Sequence, residues 1–374
     1  MKIENVSTPA YIVDEKKLIH NLEILKRVQD ETGCKILLAQ KCFSMYYEYP
    51  LIAQYISGCT ASGLFEAKLG YEEMKKENHV FSPAYKDAEF DKIVAICDHI
   101  IFNSVAQLKK YKERCKGVSY GLRINPECST QTDHAIYDPC APGSRLGVTI
   151  DQLRAEDLEG VDGLHFHTLC EQNSDDLETT LQAVEAKFGK YLYQMKWLNM
   201  GGGHHITRED YDLERLITLI KRIQNEYGVQ VYLEPGEAVA LNAGYLKTEI
   251  LDIVENHGIK VLILDASAAC HMPDVLEMPY RPPLKDAAKA GEKKYTYRLS
   301  SNTCLAGDVI GDYSFDEEKK IGDSLFFEDM AIYSMVKNNT FNGIGLPDIV
   351  AMHPNGECEV VKSFGYEDFK MRLS

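Results

Sequence analysis

Before Pro235 the sequence repeats one pattern, a short apolar run bounded by Gly, Pro, Asn or Ser and then a longer amphipathic stretch. The apolar runs are Lys35–Gln40, Cys59–Ser62, His79–Ser82, His99–Asn103, Val118–Ile124, Gly163–Thr168, Trp197–Met200 and Val229–Leu233, eight in all. Helical stretches such as Phe65–Lys76 and Glu209–Tyr227 separate most of them. Eight repeats of strand then helix suit a closed parallel (β/α)8 barrel better than an open sheet. The stretch Pro126–Thr149 breaks the rhythm and reads as a long loop after the fifth strand.

After Gly236 the texture changes. Gly244–Val254, Lys260–Asp265, Tyr295–Leu299 and Ser324–Phe327 are strand-like, with few helices between them. The first strand, Ala10–Val13, has no helix before it and is expected to join this second, β-rich domain, while a helix runs from Asp14 to Glu31. The expected fold class is therefore α/β: a barrel over 14–242, and a β-rich domain built from 1–13 and 243–374.

Composition excludes several functions. The chain carries 41 basic and 57 acidic residues, net −16, and no Lys/Arg-rich block, so no nucleic-acid partner is expected. No run approaches the roughly 18 apolar residues of a membrane span, and Met1 to Tyr11 lack the build of a signal peptide. Eleven cysteines, an odd number without a Cys-x-x-Cys, suit reduced thiols in a cytoplasmic protein. The acidic balance means solubility first, and mild attraction for a cationic substrate second.

Barrel enzymes carry their chemistry where strands end, at the C-terminal mouth. Strand one ends at Lys41, expected there as a partly desolvated amine, unless it is an ordinary lysine snorkelling at a strand end. Strand six ends in His165-Phe166-His167-Thr168, whose alternation puts both histidines on one face. They read as core histidines or as metal ligands; with His204 and His205 adjacent and pointing apart, no ligand set emerges and no metal is expected. Strand seven ends in Gly201-Gly202-Gly203, a tight turn or a cradle in which backbone N–H groups approach a phosphate, with a helix start at Thr207–Glu209. Strand eight ends in Glu234-Pro235-Gly236-Glu237, where proline stops the strand and turns Glu234 into the mouth. An amine, a flat imidazole, a phosphate cradle and an acid around one mouth suit pyridoxal phosphate.

These landmarks carry a resemblance. Lys41, His165–Thr168, Gly201–Gly203, Glu234-Pro235-Gly236, Cys304-Leu305-Ala306-Gly307-Asp308, and Ala331-Ile332-Tyr333 before Thr340-Phe341-Asn342-Gly343 occur in the order seen in the pyridoxal-phosphate decarboxylases of the alanine-racemase-like fold. The chain resembles that family over nearly its whole length. The resemblance implies that Lys41 binds the cofactor covalently, that His167 stacks on its ring, that Gly201, Gly202 and Gly203 with Tyr333 hold its phosphate, and that Glu234 pairs with its ring nitrogen. Racemases of this fold usually set an arginine at that last position, so decarboxylation is favoured. Cys304 would protonate Cα after carbon dioxide leaves, and Asp308 would receive a distal amine. In the family both come from the partner subunit, which implies a homodimer with shared sites.

Two positions depart from the family pattern. Glu237 stands where an arginine near the phosphate is usual, and His167-Thr168-Leu169-Cys170 replaces His-x-Gly-Ser. A negative charge at Glu237 suits a polycationic substrate. The segment from Ala269-Cys270-His271-Met272-Pro273-Asp274 to Met278-Pro279-Tyr280 is similar to the branch of the family that releases norspermidine or spermidine from carboxynorspermidine or carboxyspermidine. Glu237 and Asp274 then read the secondary amine and the aminopropyl chain, although Asp274 also fits as a plain turn residue. The alternatives are a decarboxylase of diaminopimelate or another basic amino acid, a non-catalytic pyridoxal-phosphate carrier, and a metal hydrolase using the histidines.

Overall fold

The chain opens with a strand, β1 (Ala10–Asp14), and a helix, α1 (Glu15–Thr32). Asp14 is the joint: its carboxylate accepts the N–H groups of Lys16 and Lys17 at 3.0 and 3.3 Å, satisfying donors that a helix start leaves open. In the computed structural model, which describes residues 1–131 and 135–374, two compact units are formed. One is His20–Val239; the other is Met1–Ile19 with Ala240–Ser374.

The first unit holds strands β2 (Lys35–Ala39), β3 (Gly58–Ala61), β4 (Glu77–Phe81), β5 (His99–Phe102), β6 (Ser119–Arg123), β7 (Gly163–His165), β8 (Trp197–Asn199) and β9 (Gln230–Leu233). They form a closed barrel in chain order, all pairs parallel. The ring closes where Lys35 and Ile36 pair with Tyr232 and Leu233. Strands covered on both faces read as unbroken apolar runs, which is why Ile-Leu-Leu-Ala in β2 is buried throughout. Helices α2 (Tyr49–Ile52), α3 (Leu64–Leu69), α4 (Asp87–Val94), α5 (Val105–Tyr111), α6 (Ser174–Leu192) and α7 (Leu213–Tyr227) lie between strands in the chain. α6 shows the required periodicity, with Leu177, Leu181, Val184 and Phe188 all buried.

The barrel floor is filled by the single tryptophan. Trp197 is buried, and a Cβ on Gly163 would lie 2.0 Å from its ring, so only glycine fits there. Trp197 stacks on His99 at 5.0 Å between centroids, and His99 on His79 at 4.0 Å.

As expected of the long loop after the fifth strand, the connection between β6 and β7 contains no α-helix among the described residues, only short 3-10 turns such as Ile150–Gln152. One expectation is revised. The helix expected from Glu209 begins at Leu213, because the Asp212 carboxylate caps it through the Arg215 N–H at 3.0 Å and Arg208 is tied to Asp210 at 2.5 Å instead.

The second unit is one nine-stranded sheet. Its strands are β1, β10 (Gly244–Asn256), β11 (Ile259–Leu264), β12 (Ala288–Lys289), β13 (Tyr295–Ser301), β14 (Val309–Phe315), β15 (Ser324–Glu328), β16 (Asp348–Met352) and β17 (Cys358–Lys362). The order is β12-β14-β13-β11-β10-β1-β16-β17, with β15 on β10. β1 is central, antiparallel to β10 and parallel to β16, which is why all five of its residues are buried. Its core includes Leu246, Leu262, Leu299, Tyr313 and Phe327. The units divide at 19/20 and 239/240, not at the expected 13/14 and 242/243. The first turn of α1 stays with the sheet, held by Glu15 on His353 at 2.8 Å and by Lys17 over the Tyr245 ring at 4.8 Å.

Candidate active site

The mouth of the barrel is assembled from strand ends. After β2, the Ala39 carbonyl accepts the Cys42 N–H at 3.1 Å, and the turn so closed carries Lys41 outward. Lys41 is therefore exposed in its unit, not the partly desolvated amine expected after an apolar strand. The end of β9 packs on this turn: the Ala39 N–H donates to the Pro235 carbonyl at 3.1 Å, and a Cβ on Gly236 would sit 2.6 Å from Cβ of Cys42. The positive charge of Lys41 reaches His167, whose imidazole is held well below its ordinary pKa by burial and then by Lys41 and Arg123. His167 is thus a neutral flat ring. Its Nδ1 lies 3.0 Å from both the N–H and the carbonyl oxygen of Gly202, which fixes the ring in place.

Glu234 is the acid of the site. It is 7% exposed, and its two carboxylate oxygens are 3.1 Å from His165 Nε2 and 2.8 Å from Asn199 Nδ2. Burial alone would raise its pKa; the donors His165 and Asn199 override this and hold the carboxyl below the usual range. His165 is kept neutral by burial, and its ring stacks on Phe81 at 5.5 Å, over which the Arg123 guanidinium lies at 4.6 Å. The sequence reading did not single out His165, Asn199 or Arg123 as site residues. Asn199 carried no signal beyond its place at a strand end, and His165 read as a core histidine or a metal ligand, not as the partner of Glu234.

The linkage sign for Glu234 is fixed by its depressed pKa. Its contribution to stability is complete above about pH 4.5, the ordinary glutamate value, and is lost as the pH falls below it. Thermal unfolding followed from pH 7 to pH 3 should show a steeper acid fall for the wild type than for Glu234→Gln. Parallel curves would remove Glu234 as the cause.

The glycine triplet forms a turn packed too closely against neighbouring backbone to carry any side chain. A Cβ on Gly201, Gly202 or Gly203 would lie 2.4, 2.4 or 2.0 Å from the carbonyl oxygens of Phe166, Glu234 and Leu169 respectively. Gly201 and Gly203 have φ of +68° and +82°, left-handed values that favour glycine. His204 turns inward to the Met200 carbonyl at 3.2 Å, while His205 points to Glu237, with Nε2 2.7 Å from a carboxylate oxygen. Glu171 completes a group whose donor atoms lie within 4.8 Å of one another. Cys170, in the position of the usual serine, is pushed up to about 12 by burial and by Glu237 and Glu171, so it stays a thiol and a weak donor.

In the sheet unit, Cys304 is the one exposed cysteine of the eleven. Asp308 is fully buried. One of its oxygens accepts the hydroxyls of Ser267, Ser301 and Thr303 at 2.6, 2.5 and 2.6 Å, and the other accepts the Ala269 N–H at 3.1 Å. A carboxylate so enclosed anchors its own loop. Asp274 is half-buried and bonded to Lys337, which also reaches Glu277 at 2.6 Å, so its charge is already partly matched. Tyr333 is half-buried, with a left-handed φ of +45°.

A buried acid kept ionised suits the protonated ring nitrogen of pyridoxal phosphate, and a neutral imidazole suits a stacked ring. The glycine turn is less committed to a phosphate, since the Gly201 and Gly202 N–H groups are given to Asn199 Oδ1 at 2.8 Å and His167 Nδ1 at 3.0 Å. The comparisons with known proteins point the same way. The chain belongs to the pyridoxal-dependent decarboxylase family, whose description, "Pyridoxal-dependent decarboxylase, C-terminal sheet domain", matches residues 10–331. It is a pyridoxal-phosphate-dependent decarboxylase. It is 44% identical over the full length of both chains to the carboxynorspermidine/carboxyspermidine decarboxylase of Campylobacter jejuni. It is 40% identical to the carboxyaminopropylagmatine decarboxylase of Synechocystis, covering all of this chain and 97% of that one. The crystal structure of the Campylobacter jejuni carboxynorspermidine decarboxylase complexed with norspermidine superposes with a TM-score of 0.93, covering 98% of this chain and 100% of that one. Among the described residues, no helix is long and apolar enough to cross a membrane.

Proposed function

We propose that the chain decarboxylates carboxynorspermidine or carboxyspermidine, yielding norspermidine or spermidine in cytoplasmic polyamine synthesis. The observation that carries this reading is Glu237, anchored by His205 beside Glu171, at the position where family members acting on amino acids usually carry arginine. Two carboxylates at the mouth suit a substrate with additional ammonium groups and repel one with a distal carboxylate, such as diaminopimelate. Full-length identity of 44% to the Campylobacter jejuni enzyme supports the same substrate class.

Pyridoxal phosphate, when bound, takes up the electron pair left at Cα as carbon dioxide departs. Lys41 would hold it through its amine, and the Gly201–Gly203 turn and Tyr333 would hold its phosphate. The His167 ring would stack on it. Glu234, ionised and fixed by His165 and Asn199, keeps a proton on the ring nitrogen. Glu237 and Asp274 orient the substrate by its ammonium groups. Cys304 gives a proton to Cα. A homodimer in which Cys304 comes from a second copy belongs to the same reading.

The test is a carbon dioxide release assay with carboxynorspermidine, carboxyspermidine, carboxyaminopropylagmatine and diaminopimelate side by side. The two triamines differ by one methylene, worth about 1–3 kcal/mol in an apolar pocket, so both are expected to react. Turnover of diaminopimelate alone would overturn the reading. Glu237→Arg should lower kcat/KM for the triamine at least about 10-fold, roughly one charge-assisted contact, while cofactor affinity changes little. Equal loss of both would remove Glu237 from substrate recognition.

A further inference from the structure

Three loops of the sheet unit are locked together around Cys304. The first, 267–271, is joined to the second, 301–308, by Asp308, which accepts from Ser267 and Ala269 on one side and from Ser301 and Thr303 on the other. The third, 339–345, is joined to the first by Asn339, whose side chain donates to the Ala269 carbonyl at 2.8 Å and whose backbone donates to Cys270 at 2.9 Å. His271 Nε2 lies 3.0 Å from the Gly345 carbonyl and adds a second tie. The side closing this triangle is Asn342, whose side-chain oxygen accepts the Cys304 N–H at 2.7 Å. Asn342 sits at φ +59° and ψ 10°, a left-handed conformation that asparagine adopts more readily than most residues.

We propose that Asn342 is a positioning residue for Cys304, fixing the backbone that carries the thiol so that its proton is delivered to Cα and not elsewhere; this rests on the reading of Cys304 as proton donor. Cys304 lies in an exposed run with Leu305, Ala306 and Gly307, and such a loop would otherwise sample several thiol positions. Asp308 anchors the C-terminal end of that run, and Ser301 and Thr303 its N-terminal end. Between them the Cys304 N–H is held from outside the loop, by a residue 38 positions away. A displacement of about 1 Å at a reacting group can cost about 100-fold in rate.

The test compares Asn342→Gly with Asn342→Asp in the full-length holoenzyme. Glycine keeps the backbone freedom and removes the acceptor; aspartate keeps an acceptor oxygen at the same place. For Asn342→Gly, kcat should fall about 10- to 100-fold with KM within about twofold. Product should shift from the amine, formed by protonation at Cα, toward aldehyde plus pyridoxamine phosphate, formed by protonation on the cofactor carbon and hydrolysis. The alkylation rate of Cys304 by iodoacetamide, read by peptide mass, should change several-fold. Asn342→Asp should restore kcat to within about threefold of wild type. Unchanged kcat and alkylation in the glycine variant, a rise in KM with kcat intact, or equal loss in both variants overturns the proposal. Amide hydrogen exchange of wild-type Cys304 tests it without any variant: slow exchange in spite of the exposed loop is expected, and fast exchange overturns it. Cys304→Ala separates the two readings. If it keeps full kcat, the proton-donor role fails, while alkylation and exchange still decide whether Asn342 places the thiol.

Discussion

Lys41→Ala is expected to reduce decarboxylation to background and to abolish the near-visible absorbance of lysine-bound cofactor. Lys41 ends β2 on a turn closed by Ala39 and Cys42, directly beside the end of β9. Among the described residues no other lysine follows a barrel strand in this way; Lys35 begins β2 and is bonded to Glu77. Loss of a covalent catalytic group removes an entire route, so the fall should exceed about 1,000-fold. The turn itself needs only backbone atoms, so thermal stability should change little. A variant that keeps both turnover and colour would show that a different amine carries the cofactor.

The second large effect concerns Glu234. Replacing it with alanine leaves His165 Nε2 and Asn199 Nδ2 without their shared acceptor, at a cost of about 1–3 kcal/mol for each buried group left unpaired. It also removes the charge that would hold a proton on the ring nitrogen. Loss of a single preorganised electrostatic partner typically costs about 100- to 1,000-fold in kcat. Glu234→Gln separates the two effects: it preserves shape and most packing but supplies no charge, so it should fold better than the alanine variant and turn over as poorly. Normal kcat for Glu234→Gln, with cofactor bound, would remove the charge from the mechanism.

The barrel was legible because its code is local. Each strand is a short apolar run, and each helix such as α6 repeats its apolar residues with helical period. The placement of Lys41, Gly201–Gly203 and Glu234 at the barrel mouth was legible because strand ends are what sequence locates. Their supports were not. Asn199 looks like any polar residue closing a strand, and Arg123, stacked over Phe81, reads as an ordinary strand-end arginine. His205 and Glu237 meet across 32 residues through a turn whose geometry no local pattern encodes. The enclosure of Asp308 was not legible either, because the hydroxyls that surround it lie partly in another loop, at Ser267. The start of α7 was misplaced for a simpler reason, since Asp212 competes with Thr207 as a cap and only the fold decides between them.

Trp197 has one more consequence. It is the only tryptophan, it is buried, and it belongs to the barrel unit. Emission excited selectively from indole therefore reports on the barrel floor alone and is silent about the sheet. Backbone circular dichroism reports on both. Melting the protein with the two signals in parallel would reveal whether the units come apart in one step or in sequence, with no added label.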